Sequence, residues 1–92
     1  MKRVRIYVTG RVQGVFFRVY TRDFAKNLAI GGYVKNLRDG RVEIVAEGSE
    51  SSLRTLADWV KNKGSPYSQV HHTEEQWEDV SELEFKSFQI TH

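Results

Sequence analysis

Gly10-Arg11-Val12-Gln13-Gly14-Val15-Phe16-Phe17-Arg18 is the stretch of this 92-residue chain whose residue types and spacing could do chemistry. An alternating segment precedes it and an amphipathic one follows, so it reads as a loop that leaves a strand and opens a helix. Such a junction turns backbone N–H groups outward, and the helix dipole makes the place electropositive. Gly10 and Gly14 let the backbone curl and leave room for a ligand. Arg18 falls in the first helical turn, where a cation is unfavourable and an acid is preferred. An anion sharing the site would explain that placement, because a planar guanidinium offers a fork of donors that suits phosphate. The N–H groups of Val12, Gln13, Gly14, Val15, Phe16 and Phe17 would then form a cradle that Arg18 closes. The same residues also describe a glycine-containing connection with an exposed Arg that binds nothing.

Asn36 is the second candidate. It stands in a short strand-like run, Tyr33 to Leu37, where Asn is a poor strand former. An amide has no useful pKa, so it can orient a water but cannot deprotonate one. An edge position, or a side-chain bond to the adjoining turn, explains it equally well. His71, His72 and His92 do not make a metal set, since neighbours on a strand point to opposite faces. The acidic stretch from Glu74 to Glu84 is irregular and lacks the glycine of a calcium loop, so it reads as solvated surface. No cofactor or metal is called for.

The elements that must position these residues follow from pattern. Val4, Ile6 and Val8 alternate with polar residues and predict a half-buried strand. Phe17, Tyr20, Phe24 and Leu28 recur at helical spacing, and Gly31-Gly32 is expected to end that helix in a left-handed cap. Tyr33–Leu37, the turn Arg38-Asp39-Gly40, and Arg41–Glu47 predict a hairpin, with Val42, Ile44 and Ala46 on the buried side. Ser49 caps a second helix striped by Leu53, Leu56, Ala57 and Val60, which Gly64 and Pro66 terminate. One long strand from Ser68 to about Val80 and a short closing strand ending at Thr91 complete the chain. Trp59 and Trp77 read as partly buried packing residues. The order β-α-β-β-α-β, with a short extra strand, is the ferredoxin-like α+β sandwich: one antiparallel sheet with both helices on one face. Ninety-two residues are read as a single domain, 1–92.

Composition narrows the function classes. There are no cysteines, which removes disulfides, thiol nucleophiles and thiolate metal sites together. No continuous apolar run suggests a leader or a membrane span, and a cytoplasmic protein is expected. The net charge of +2 is too small to argue for nucleic acid. The cations crowd the half that carries the loop, including Arg11, Arg18, Lys35 and Arg41. That suits a small anion and equally suits a solvated face.

Gly10 to Arg18, then Gly32-Tyr33-Val34-Lys35-Asn36, then Asp39-Gly40-Arg41-Val42-Glu43, resembles the acylphosphatase family in order, spacing and residue type. Gly64-Ser65-Pro66 and Phe88-Gln89-Ile90 are also similar, so the resemblance spans nearly the whole chain. It implies the same ferredoxin-like fold and hydrolysis of acyl phosphates to a carboxylate and inorganic phosphate. It also implies that the loop and Arg18 bind the phosphoryl group and that Asn36 orients the attacking water. Tyr33 stands where the family often has Trp, and Phe16 fills a variable position. Nothing in the sequence marks a pocket for the acyl half of a substrate.

The sparse chemistry fits that substrate class. No carboxylate pair or His–Asp arrangement accompanies the loop. The leaving group of an acyl phosphate is a carboxylate, whose conjugate acid has a pKa of roughly 4, so it departs without being protonated. One Arg, one Asn and a ring of amides then suffice, because phosphoryl transfer asks chiefly for positioning and charge stabilisation. Two other readings compete. A non-catalytic anion-binding domain on this fold would not need a water-positioning Asn. An RNA-recognition module shares the element order, and Arg5 to Gly10 resembles its shorter signature, but the outward residues Arg41, Glu43, Val45 and Glu47 give no stacking platform. The expected protein is a monomeric, metal-independent enzyme acting on a small molecule, with no nucleic-acid or membrane partner.

Overall fold

The computed structural model describes residues 1–92. Its elements are β1 (Lys2–Arg11), α1 (Phe17–Asn27), β2 (Gly31–Asn36), β3 (Val42–Gly48), α2 (Glu50–Asn62), β4 (Gln69–Asp79) and β5 (Phe88–Thr91). They form one five-stranded sheet in the order β4-β1-β3-β2-β5. The first four strands pair antiparallel, as the sequence predicts. The closing strand β5 instead joins β2 in parallel, Gly32 opposite Phe88 and Val34 opposite Ile90, so the sheet is mixed at that edge. The expectation of a wholly antiparallel sheet is corrected there. The chain crosses from β4 at one edge to β2 at the other, and that crossing fixes the direction in which β5 arrives.

One face of the sheet and the inner stripes of both helices make a single core. Val4, Ile6 and Val8 of β1, Ile44 of β3 and Val34 of β2 pack with Phe17, Ala25, Leu53, Leu56, Val60 and Phe88, all essentially fully buried. The helices meet through Trp59, whose ring stacks on Phe24 with centroids 4.8 Å apart. Burial of this apolar surface is the main force holding the helices to the sheet, at about 25 cal/mol per Å². Trp59 and Trp77 pack partly buried against the core, as expected.

The first helix ends earlier than the sequence suggests. Its last residue is Asn27, and Ala29 takes the left-handed conformation at φ 56°. Gly31 and Gly32 open β2 instead of capping the helix. Gly32 is required for a different reason: a Cβ there would fall onto the Val45 carbonyl oxygen of the neighbouring strand. The glycine pair permits close strand approach, and a glycine pair near a helix end reads the same way in sequence.

The other face of the sheet is not simply solvated. Every residue of β3 is buried, including Glu43 at 8% and Glu47 at 1% exposure. The expected outward row is covered because Arg3 and Arg5 lie across it. Arg3 Nε donates to Glu47 Oε2 at 2.8 Å, and Arg5 Nη1 donates to Glu43 Oε2 at 2.8 Å. Tyr33 Oη donates to Glu43 Oε1 at 3.0 Å, and the N–H groups of Glu84 and Phe85 donate to Glu47 Oε1 at 2.7 and 3.2 Å. The acidic segment thus supplies backbone donors to a buried carboxylate, in addition to its solvated side chains.

Burial alone would push the Glu47 carboxyl up. The Arg3 guanidinium and the N–H groups of Glu84 and Phe85 outweigh it and hold the group below its ordinary value. A carboxyl depressed by folding adds stability that is complete above its unfolded pKa and drains away as pH falls through its folded pKa. Equilibrium denaturation of the parent should therefore show stability falling as pH drops below the ordinary glutamate range. Glu47→Gln should lose about 2–3 kcal/mol at neutral pH, because it leaves Arg3 without its buried partner, and should show a shallower fall in acid.

Candidate active site

The two helices begin in opposite ways. At α2, Ser49 caps the helix by accepting from the Ser52 N–H at 3.3 Å, and Glu50 sits in the first turn. At α1 there is no side-chain cap and no acid in the first turn. The first bond of that helix is donated by Tyr20 to the Phe16 carbonyl at 3.1 Å, leaving the N–H groups of Phe17, Arg18 and Val19 ahead of it. The N–H groups of Val12 to Phe16 find no acceptor among the protein's loop and turn hydrogen bonds. A run of free amides at a helix N-terminus favours an anion.

The loop is held so that these amides stay available. Val12, Val15 and Phe17 are buried and anchor it, while Gly14 and Phe16 stand out. Gly14 has φ 75° and open space around it, so its role is the turn itself. Strand β1 runs on to Arg11, paired with Gln69 of β4 after a register shift between Thr9 and Gly10. The expected loop is therefore two residues shorter at its start, and Gly10 belongs to the strand.

Two side chains pin the loop to its neighbours. Gln13 Nε2 donates to the Leu37 carbonyl at 2.8 Å and to the Arg41 carbonyl at 2.9 Å, tying the loop to the turn that follows Asn36. Ser65 Oγ donates to the Val15 carbonyl at 2.9 Å from beneath. The sequence reading gave Gln13 only a backbone amide and gave Gly64-Ser65-Pro66 no role at the loop. A polar side chain amid apolar loop residues was the available signal for Gln13. Ser65, fifty positions away, gave none.

These pins form a cleft of about 220 Å³ lined by Val12, Gly14, Phe16, Phe17, Arg18, Val19, Asn36 and Ile90. Arg18 and Asn36, eighteen residues apart in sequence, share it. Of the predicted loop residues, Gln13 and Val15 do not line the cleft; they are the two whose polar groups hold the loop in place. Asn36 is the last residue of β2 rather than a mid-strand residue. Its Oδ1 is buried and has no hydrogen-bond partner in the protein, so the reading of Asn36 as a turn-bonding residue loses its acceptor bond. An unmet buried acceptor is costly unless a ligand or water meets it. Arg18 has no carboxylate partner; its Nη1 lies 3.2 Å from His92 Nδ1. Arginine can only donate, so the imidazole nitrogen accepts. His92, expected to be plain surface, thus touches the candidate anion-binding side chain.

Comparisons with known proteins identify the family. The acylphosphatase family model matches residues 4–90. An acylphosphatase of Syntrophobacter fumaroxidans is 46% identical over 90 residues, covering 98% of this chain and 91% of that protein. One from Rubrobacter xylanophilus is 49% identical over 80 residues, covering 87% and 72%. The crystal structure of acylphosphatase from Bacillus subtilis superposes with a TM-score of 0.91 at 43% identity, each chain covered in full. With a matching family model, close relatives over most of its length and the same fold, this chain belongs to the acylphosphatase family.

Proposed function

We propose that this chain cleaves the carboxyl–phosphate bond of acyl phosphates with the free amides of residues 12–17 and Arg18 as the phosphoryl cradle and Asn36 as the water-orienting group. The hydrolase activity follows from family membership. The residue roles are our reading of the cleft. The observation that carries them is the buried, unpartnered Asn36 Oδ1 in the same cleft as the uncapped amides and Arg18.

In this reading the amides and guanidinium take the three terminal phosphoryl oxygens and keep them as charge redistributes in the transition state. Asn36 Oδ1 accepts one hydrogen bond from a water and so fixes where its oxygen lone pair points. The water oxygen forms a bond to phosphorus while the bond from phosphorus to the bridging oxygen breaks, and that electron pair leaves with the carboxylate. One water proton passes to a phosphoryl oxygen, so an acyl phosphate dianion and water give a carboxylate and dihydrogen phosphate. Atoms and charge balance with no protein acid or base. His92 steers the Arg18 guanidinium, and Gln13 keeps the loop and Asn36 in register.

The substrate is a small diffusible molecule. We read the enzyme as a cytoplasmic monomer with no nucleic-acid or membrane partner. The paired Arg3, Arg5, Glu43 and Glu47 on the sheet's second face support this, because they occupy the surface on which bases would stack. The exposed edge strand β4 carries Glu74, Glu75, Glu78 and Asp79, and like charges there oppose edge-to-edge pairing of two copies.

Steady-state hydrolysis of benzoyl phosphate with chelator present, together with titration of inorganic phosphate, tests the division of roles. Arg18→Gln should lower kcat/KM by about 10³ and weaken phosphate binding at least about tenfold. Asn36→Ala should lower kcat by about 10²–10³ while its phosphate affinity stays near that of the parent. An equal loss of phosphate affinity in both variants would contradict the assignment. Gln13→Ala should lose about 2 kcal/mol of stability for its two hydrogen bonds and slow turnover about tenfold, through the position of Asn36 rather than contact with substrate.

A further inference from the structure

The cleft has a second half that phosphoryl binding leaves unused. Phe16, Val19 and Ile90 give it apolar walls beside Arg18 and Asn36. Phe16 is 72% exposed and its backbone is left-handed at φ 59°. A bulky side chain is strained in that region, and an exposed ring gains nothing from burial to offset the strain. Glycine or asparagine would hold the same turn with less strain. A lone exposed apolar residue needs no explanation. This one stands at an anion-binding cleft, and Tyr20, one helical turn on, is also exposed.

An acyl phosphate has two halves of opposite character, joined through one bridging oxygen. With the phosphoryl group on the amides, the acyl carbon lies only two bonds from phosphorus, so the acyl group must meet the walls next to the cradle. Those walls offer an aromatic ring and two branched side chains, and the residues lining the cleft include no acid and no cation other than Arg18. We propose that Phe16, with Val19 and Ile90, forms the acyl-group subsite and selects aromatic acyl phosphates over acetyl phosphate. This rests on the hydrolase reading of the same cleft. The strained ring is a preorganised platform, offering area for stacking with few rotamers to fix. Such contact is made alike in the ground and transition states, so it acts on KM more than on kcat.

The test uses two substrates, benzoyl and acetyl phosphate, and their non-hydrolysable counterparts with a methylene in place of the bridging oxygen, phenacylphosphonate and acetonylphosphonate. The parent should bind phenacylphosphonate about tenfold more tightly than acetonylphosphonate by calorimetry. It should show a similar preference in kcat/KM, expressed in KM. Phe16→Asn suits the left-handed backbone and should reduce both preferences to within about twofold. Val19→Ser, on the helix side of the cleft, should reduce them about threefold and serves if Phe16→Asn does not fold. Equal phosphonate affinities in the parent, or an undiminished preference in Phe16→Asn and Val19→Ser, would overturn the subsite. If the parent discriminates between the phosphonates but hydrolyses neither substrate, the hydrolase reading falls and the subsite stands.

Discussion

The amides from Val12 to Val19 are the constraint on which the rest of the structure depends. Backbone N–H groups without acceptors are tolerated only where water or a ligand can reach them. At α2 the chain resolves the problem locally with Ser49 and Glu50. At α1 it does not, and a cation stands where an acid would help. The surrounding residues keep that arrangement from collapsing: Gln13 and Ser65 pin the loop, and Val12, Val15 and Phe17 root it in the core. In the reading proposed above, these amides and Arg18 make an electropositive cradle that the fold sets before any substrate arrives, and preorganisation of this kind is where electrostatic catalysis gains most.

The sheet's second face is enclosed at its centre as the first is. Its central strand is buried on both sides, one side by the helices and the other by Arg3, Arg5, Tyr33 and the segment at Glu84 and Phe85. The carboxylates of Glu43 and Glu47 are therefore enclosed but well partnered. Breaking such a pair is far more damaging than never having built it. The cleft itself lies at the seam between β2, the loop and β5, so its two halves come from elements far apart in sequence.

Much of this was legible in the sequence because the signals are local. The apolar alternation of β1, the cap at Ser49 and the stop at Gly64 and Pro66 each act within a few residues, and the structure has all of them in place. The loop motif was legible through residue type and spacing, Asn36 was singled out through the family resemblance, and the structure puts Arg18 and Asn36 in one cleft. What the sequence hid depends on long-range contact. Gly31 and Gly32 read as a helix stop because the nearness of Val45 is a fact of strand packing. Glu43 and Glu47 read as outward because period two cannot tell solvent from a covering row of arginines. The parallel pairing of β5 and the contact of His92 with Arg18 follow from where the last strand lands. Phe16 carried no signal because its strain is visible only in the backbone angle.

The central claim, that the uncapped amides of residues 12–17 are a ready-made phosphate cradle, is tested most directly by following backbone amide resonances during titration with inorganic phosphate. The account predicts saturable shifts concentrated at Val12 to Phe17, with the Arg18 side chain and Asn36 responding in parallel and the amides at the capped start of α2 unmoved. Shifts spread over the basic surface around Lys35, Arg38 and Arg41, with the loop amides unchanged, would contradict it.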